Sequence, residues 1–89
     1  MTEQIKLRED VLEWRDVDGE IVALDLSARE YISINKTGAA VWPLLAAGAT
    51  TEQLAGKLVE EFGIDGETAE RDATAFLDQL RERDLLDES

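Results

Sequence analysis

Apolar residues alternate with polar ones over the first third of this chain and then recur at intervals of three and four. Strands are therefore expected first and helices after them. Val11 to Val17 (VLEWRDV) partly alternates, with Leu12 and Trp14 on one face and Glu13 and Arg15 on the other. Asp18-Gly19 then supplies a two-residue hairpin turn, because both positions tolerate positive φ. The return strand, Glu20 to Leu26, is read with Val22, Leu24 and Leu26 inward and Ile21, Ala23 and Asp25 outward. A turn at Ser27-Ala28-Arg29-Glu30 leads into a third strand, Tyr31 to Ile34, with Ile32 and Ile34 on the core face and Tyr31 and Ser33 opposite. Residues 1–9 are polar apart from Ile5 and Leu7 and read as an extended or flexible lead-in.

Three helices follow. Asn35 is a good N-cap, since its side-chain oxygen accepts an otherwise orphaned helix N–H, with Thr37 as the alternative cap. The first helix runs from about Lys36 to Ala46, with Ala40, Val41, Leu44 and Leu45 inward and Gly48 as its end. Pro43 lies inside it and removes one backbone donor, so a bend or a late start is expected. Thr50 opens the second helix with Gln53 three residues on, the capping-box spacing. Leu54, Leu58, Val59 and Phe62 form its apolar face, and Gly63 closes it. Asp65 caps the third helix, which runs to about Arg83 with Ala69, Ala73, Phe76, Leu77 and Leu80 as its stripe. Leu85 and Leu86 fold back to close the core. The order β-β-β-α-α-α, a three-stranded antiparallel sheet followed by three helices, describes an α+β, winged helix-turn-helix-like module. Residues 10–87 are read as one domain.

Composition narrows the function. The 89 residues contain no Cys and no His. A thiolate nucleophile, a Cys-based zinc site, the usual neutral-pH general base and the commonest metal ligand are thereby all missing. This speaks against an enzyme, and no cofactor is expected. No apolar run approaches the ~20 residues of a membrane span, and MTEQIKLRED lacks the layout of a signal peptide. A cytoplasmic protein without a membrane partner is the expectation. The formal charge is −12, from 21 acidic and nine basic residues. Such a surface repels phosphate backbones and favours neutral or basic peptides, or serves solubility alone.

The stretch Leu24 to Leu45, LDLSAREYISINKTGAAVWPLL, resembles the PqqD-type proteins, the leader-peptide recognition elements of ribosomal peptide biosynthesis. Tyr31-Ile32-Ser33-Ile34-Asn35 matches the family's strand end, and Thr37-Gly38-Ala39-Ala40-Val41-Trp42 its first-helix start. Thr50-Thr51-Glu52-Gln53-Leu54 resembles the opening of its second helix. Phe76-Leu77-Asp78-Gln79-Leu80, followed by Asp84-Leu85-Leu86, resembles its C-terminal pattern. The Asn-x-Thr-Gly-Ala-Ala-x-Trp variant is most similar to the stand-alone recognition proteins of lasso-peptide pathways; Pro43 has no place in the pattern. The resemblance implies a non-catalytic adaptor that binds the precursor leader peptide. It would present that leader to a separate Cys-protease-type leader peptidase and an ATP-dependent cyclase. It also implies leader Tyr, Pro and Leu side chains as anchors. A peptide chaperone serving a radical SAM or other modifying enzyme is the alternative within the family.

The residues themselves suit that role. The last strand of a meander is an edge with unpaired N–H and C=O groups, and a peptide can add to it as a further strand. The candidate leader-binding residues are Glu30, Tyr31, Ile32, Ser33 and Ile34 on that strand. On the third helix they are Ala69, Asp72, Ala73, Phe76, Leu80 and Arg83, which fall on adjacent rows of one face. For Ile32, Ile34, Phe76 and Leu77 a core role competes with ligand contact. Trp14 and Trp42 read as core, and Glu67, Glu70 and Asp72 by default as a solvated face near the helix N-terminus. A monomer is expected.

Two rivals come from other classes. A winged helix usually suggests DNA, but residues 66–84 carry three Arg against six acidic residues, a net −3, which repels phosphates. An acidic carrier protein needs an Asp-Ser-Leu-type site at a helix start, whereas Asp25-Leu26-Ser27 falls in a strand-to-turn region.

Overall fold

The structure, a computed structural model, describes residues 4–88. In chain order it contains β1 (Ile5–Leu7), β2 (Leu12–Val17), β3 (Glu20–Asp25), β4 (Glu30–Ser33), α1 (Lys36–Ala47), α2 (Thr51–Phe62), α3 (Gly66–Glu82) and β5 (Leu86–Glu88). The three expected strands are β2, β3 and β4, an antiparallel sheet in the order β2-β3-β4. Asp18 and Gly19 both take positive φ, 54° and 85°, and pair Val17 with Glu20 across the turn. The three helices follow as expected, so the α+β, winged helix-turn-helix-like reading stands.

The caps follow the sequence closely. Asn35 accepts from Gly38 N–H at 2.8 Å, so the helix begins at Asn35 and not at Thr37. Thr50 and Gln53 complete both arms of the capping box, at 3.1 and 2.9 Å. Asp65 accepts from Thr68 N–H at 2.7 Å. That bond stabilises the ionised carboxylate and holds Asp65 below its ordinary pKa. α1 continues through Pro43, which is exposed, and closes at Gly48.

One face assignment is reversed. Ile21, Ala23 and Asp25 are the buried residues of β3, at 6%, 0% and 3% exposure, whereas Val22 and Leu26 are 41% and 38% exposed. The two-residue turn dictates this parity. With Val17 opposite Glu20, Trp14 falls opposite Ala23 and Leu12 opposite Asp25, and directly opposed residues share a face. Once Leu12 and Trp14 point inward, Ala23 and Asp25 must follow. The inward Asp25 carboxylate is satisfied by Ser27 and Ala28 N–H at 3.1 and 3.2 Å.

The segment read as a lead-in contributes a strand. β1 pairs antiparallel with β5, Leu7 opposite Leu86, and Ile5 exchanges two backbone hydrogen bonds with Ala49 at 2.7 and 2.9 Å. Ile5, Leu7, Leu85 and Leu86 are all buried in the single core. Arg8 reaches Asp10 and Asp84 at 3.1 and 3.0 Å, and Arg81 reaches Glu88 at 2.6 Å. These pairs lie at the surface and add little stability. Val59 and Phe62, expected on the core face of α2, are 39% and 43% exposed. Ala55 is buried in their stead.

Candidate functional site

β4 follows directly on a turn in which Arg29 takes a φ of 57°, and it ends where Asn35 caps α1. Among the described residues it pairs with β3 alone, so alternate backbone N–H and C=O groups along it face away from the sheet. The edge carries no Pro or Lys to blunt it. Tyr31 is 75% exposed, on the outer face as its alternation indicates.

Between this edge and α3 lies a groove of about 460 Å³, lined by Tyr31, Ile32, Ser33, Ile34, Phe76, Gln79, Leu80, Glu82 and Arg83. Seven of the expected residues are thus brought together, with Phe76 and Leu80 serving the core as well, at 6% and 2% exposure. Gln79 and Glu82 join them, and their three-residue steps from Phe76 and Gln79 are the signal that would have placed them. Ala69, Asp72 and Ala73 do not line the groove: Ala69 and Ala73 are wholly buried in the core, at 0% and 1% exposure, and Asp72 is half-buried. Helical spacing puts these residues on one face but does not say how much of it α1 and α2 cover. Glu30 stands at the groove's end, where the Arg83 guanidinium lies 3.5 Å from its carboxylate and 3.6 Å from that of Asp25.

The floor is built from the inside. Phe76 packs edge-on against Trp42, ring centroids 6.2 Å apart, and Trp42 in turn against Trp14 at 6.1 Å. Trp42 is wholly buried, so the Phe76 ring has a rigid backing. Gly38 makes the remaining space. A Cβ placed there would meet Phe76 Cζ at 2.7 Å and Ile34 Cγ2 at 2.9 Å, so α1 can approach β4 and α3 this closely only with glycine at this position.

The groove therefore has an apolar floor, an unpaired strand edge along one wall, and a rim of Glu30, Glu82 and Arg83. Among the described residues no group of three or more His, Cys, Asp and Glu is placed to hold a metal ion. The chemistry on offer is recognition: backbone pairing to an extended chain, with apolar side chains received beneath it.

An open strand edge beside a groove is the geometry with which a sheet can take up an extended peptide. The family model of coenzyme PQQ synthesis protein D (PqqD) matches residues 20–86, and the chain belongs to that family. Two solved structures are particularly similar to it. One is TbiB1 in complex with the TbiA(beta) leader peptide, 29% identical, with a TM-score of 0.82 over 92% of this chain and 94% of that one. The other is a lasso peptide synthetase B1 complexed with the leader peptide, 28% identical, with a TM-score of 0.78 over 92% and 95%. No curated protein matches the chain.

Proposed function

We propose that this chain is a non-catalytic adaptor of ribosomal peptide biosynthesis, of the lasso-peptide kind. It binds the precursor's leader as an added strand on β4 against α3. It presents the tethered precursor to a separate Cys-protease-type leader peptidase and an ATP-dependent cyclase, and it acts as a monomer. The groove between the unpaired β4 edge and the Phe76–Leu80 face of α3 carries the reading. Support comes from two similar chains, both found as complexes with leader peptides. No described helix is long and apolar enough to cross a membrane.

Energetics assign the two parts of the site different tasks. Pairing along the four-residue β4 makes on the order of four hydrogen bonds, at about 0.5–1.5 kcal/mol each. Association costs about 4–15 kcal/mol, so backbone pairing alone is weak and indifferent to sequence. Specificity then rests on apolar anchors in the groove, at about 1.5–3 kcal/mol for each fully buried side chain. Tethering raises the local concentration of precursor at the enzymes, which is how binding without chemistry accelerates maturation. The acidic surface, at −12, keeps nucleic acid away.

A fluorescence-polarisation titration against the leader encoded beside this protein tests the proposal, with a scrambled leader and a duplex DNA as controls. Saturable binding of the true leader alone is expected. Leu80→Ala should weaken it at least tenfold, while Thr74→Ala, outside the groove, leaves it unchanged. Failure to bind a verified leader would overturn the adaptor reading. Membership of the PqqD family also suits a peptide chaperone for a radical SAM enzyme, which a precursor encoded beside such an enzyme would favour.

A further inference from the structure

The sheet carries a second apolar surface, on the face turned away from the helices. Cross-strand pairing sets Tyr31 beside Leu24 and Glu13 in one row, and Ser33 beside Val22 and Arg15 in the next. A solvated sheet face is normally polar. Here Tyr31 is 75% exposed, Val17 46% and Val22 41%. A shallow depression of about 820 Å³ lies over these rows and shares Tyr31 with the α3 groove.

We propose that this outer face, around Tyr31, Leu24 and Val22, is a second subsite for the leader, taking apolar side chains that point away from the α3 groove. The inference rests on the leader-binding reading above. A strand added beside β4 lies roughly 4.8 Å from it, and its side chains alternate between the two faces. The inward set enters the groove over Phe76 and Leu80. The outward set lands beside Tyr31 and Ser33, with Cβ atoms about 4.5–5.5 Å from those directly opposite. There it continues the rows that Leu24 and Val22 begin. The occupant is thus fixed by the pleat: it is the other half of the same bound peptide. Glu13 and Arg15 lie on β2, the third strand from the leader, so Tyr31 and Ser33 beside it and Leu24 and Val22 behind them keep the near part of this face uncharged. The bound segment is accordingly apolar on both faces, where a strand solvated on one side would alternate.

Parity provides the test. Leader peptides with alanine at each position in turn are titrated against the wild type, Val22→Thr, Leu24→Thr and Leu80→Ala. Threonine suits a strand, and thermal midpoints confirm the fold; Val22 is exposed enough that its variant should keep it. Val22→Thr and Leu24→Thr are expected to weaken the leader three- to tenfold. Their losses should be non-additive with alanine at leader positions of one parity, while Leu80→Ala couples to the other. Unchanged affinity in both threonine variants would overturn the subsite, and so would coupling to the same leader positions as Leu80→Ala. Either result, with Leu80→Ala still weakening binding, leaves the groove reading intact. A wild type that binds no leader defeats both.

Discussion

Replacing Gly38 by alanine adds one methyl group where α1, β4 and α3 meet. The new Cβ would stand 2.7 Å from Phe76 Cζ and 2.9 Å from Ile34 Cγ2. Neither neighbour retreats easily, since Phe76 is backed by Trp42 and Ile34 adjoins the Asn35 cap of α1. Forcing a methylene into a packed core costs about 1–3 kcal/mol. The Gly→Ala change in a helix returns about 0.5–1 kcal/mol. The balance is a net loss near 1 kcal/mol, or a drop of about 4–8 °C in thermal midpoint for a domain of this size. Gly56 provides the internal control. It lies in α2, exposed, with nothing within 4 Å of the position a Cβ would take, so Gly56→Ala should gain about 0.5–1 kcal/mol from the same helix propensity. Thermal and urea unfolding followed by circular dichroism would measure both. One chemical change should move stability in opposite directions at the two sites. If Gly38→Ala is stabilised as much as Gly56→Ala, the close packing at the groove floor is not as described. Because Phe76 and Ile34 line the groove, Gly38→Ala should also weaken the leader, and Gly56→Ala should not.

Two further outcomes follow from the caps. Asn35→Ala removes the acceptor of Gly38 N–H and should cost about 1 kcal/mol in urea unfolding; because Asn35 also ends the β4 edge, leader affinity should fall with it. Asp65 has its pKa lowered from an ordinary 3.8 by the Thr68 N–H. Its contribution is therefore complete above the unfolded-state value and is lost as pH falls through the lower folded-state value. Asp65→Asn keeps a capping oxygen but no titrating group, so its unfolding free energy should depend less steeply on pH below about 4. An acid limb as steep as the wild type's would remove Asp65 from the account.

Local chemistry made much of this protein legible in its sequence. Asn35, the Thr50–Gln53 pair and Asp65 satisfy helix N–H groups within three residues of themselves, and Asp18-Gly19 closes its hairpin over two. The α3 stripe is likewise a property of one helix, and its five residues are all buried. The exposed Tyr31 follows from alternation, and the β4 edge from its place as the last strand of a meander. The inward face of β3 is legible too, through the hairpin register, but Val22, Leu24 and Leu26 are three apolar residues of one parity, whereas the other parity, Ile21, Ala23 and Asp25, includes a carboxylate.

What tertiary structure alone decided involves partners far apart in the chain. β1 and β5 are three residues each, too short to show a period, and Leu7 meets Leu86 across nearly the whole chain. The packing of α1 and α2 against α3 buries Ala69 and Ala73 completely, while Phe76 and Leu80, almost as deeply buried, meet Gln79, Glu82 and Arg83 at the groove. Arg83 finds Asp25 and Glu30 only because the β3–β4 turn is brought against the end of α3. Hydrogen bonds and side-chain spacing act over a few residues and can be read from them. Burial depends on which surface arrives from elsewhere, and that is set when the whole core closes.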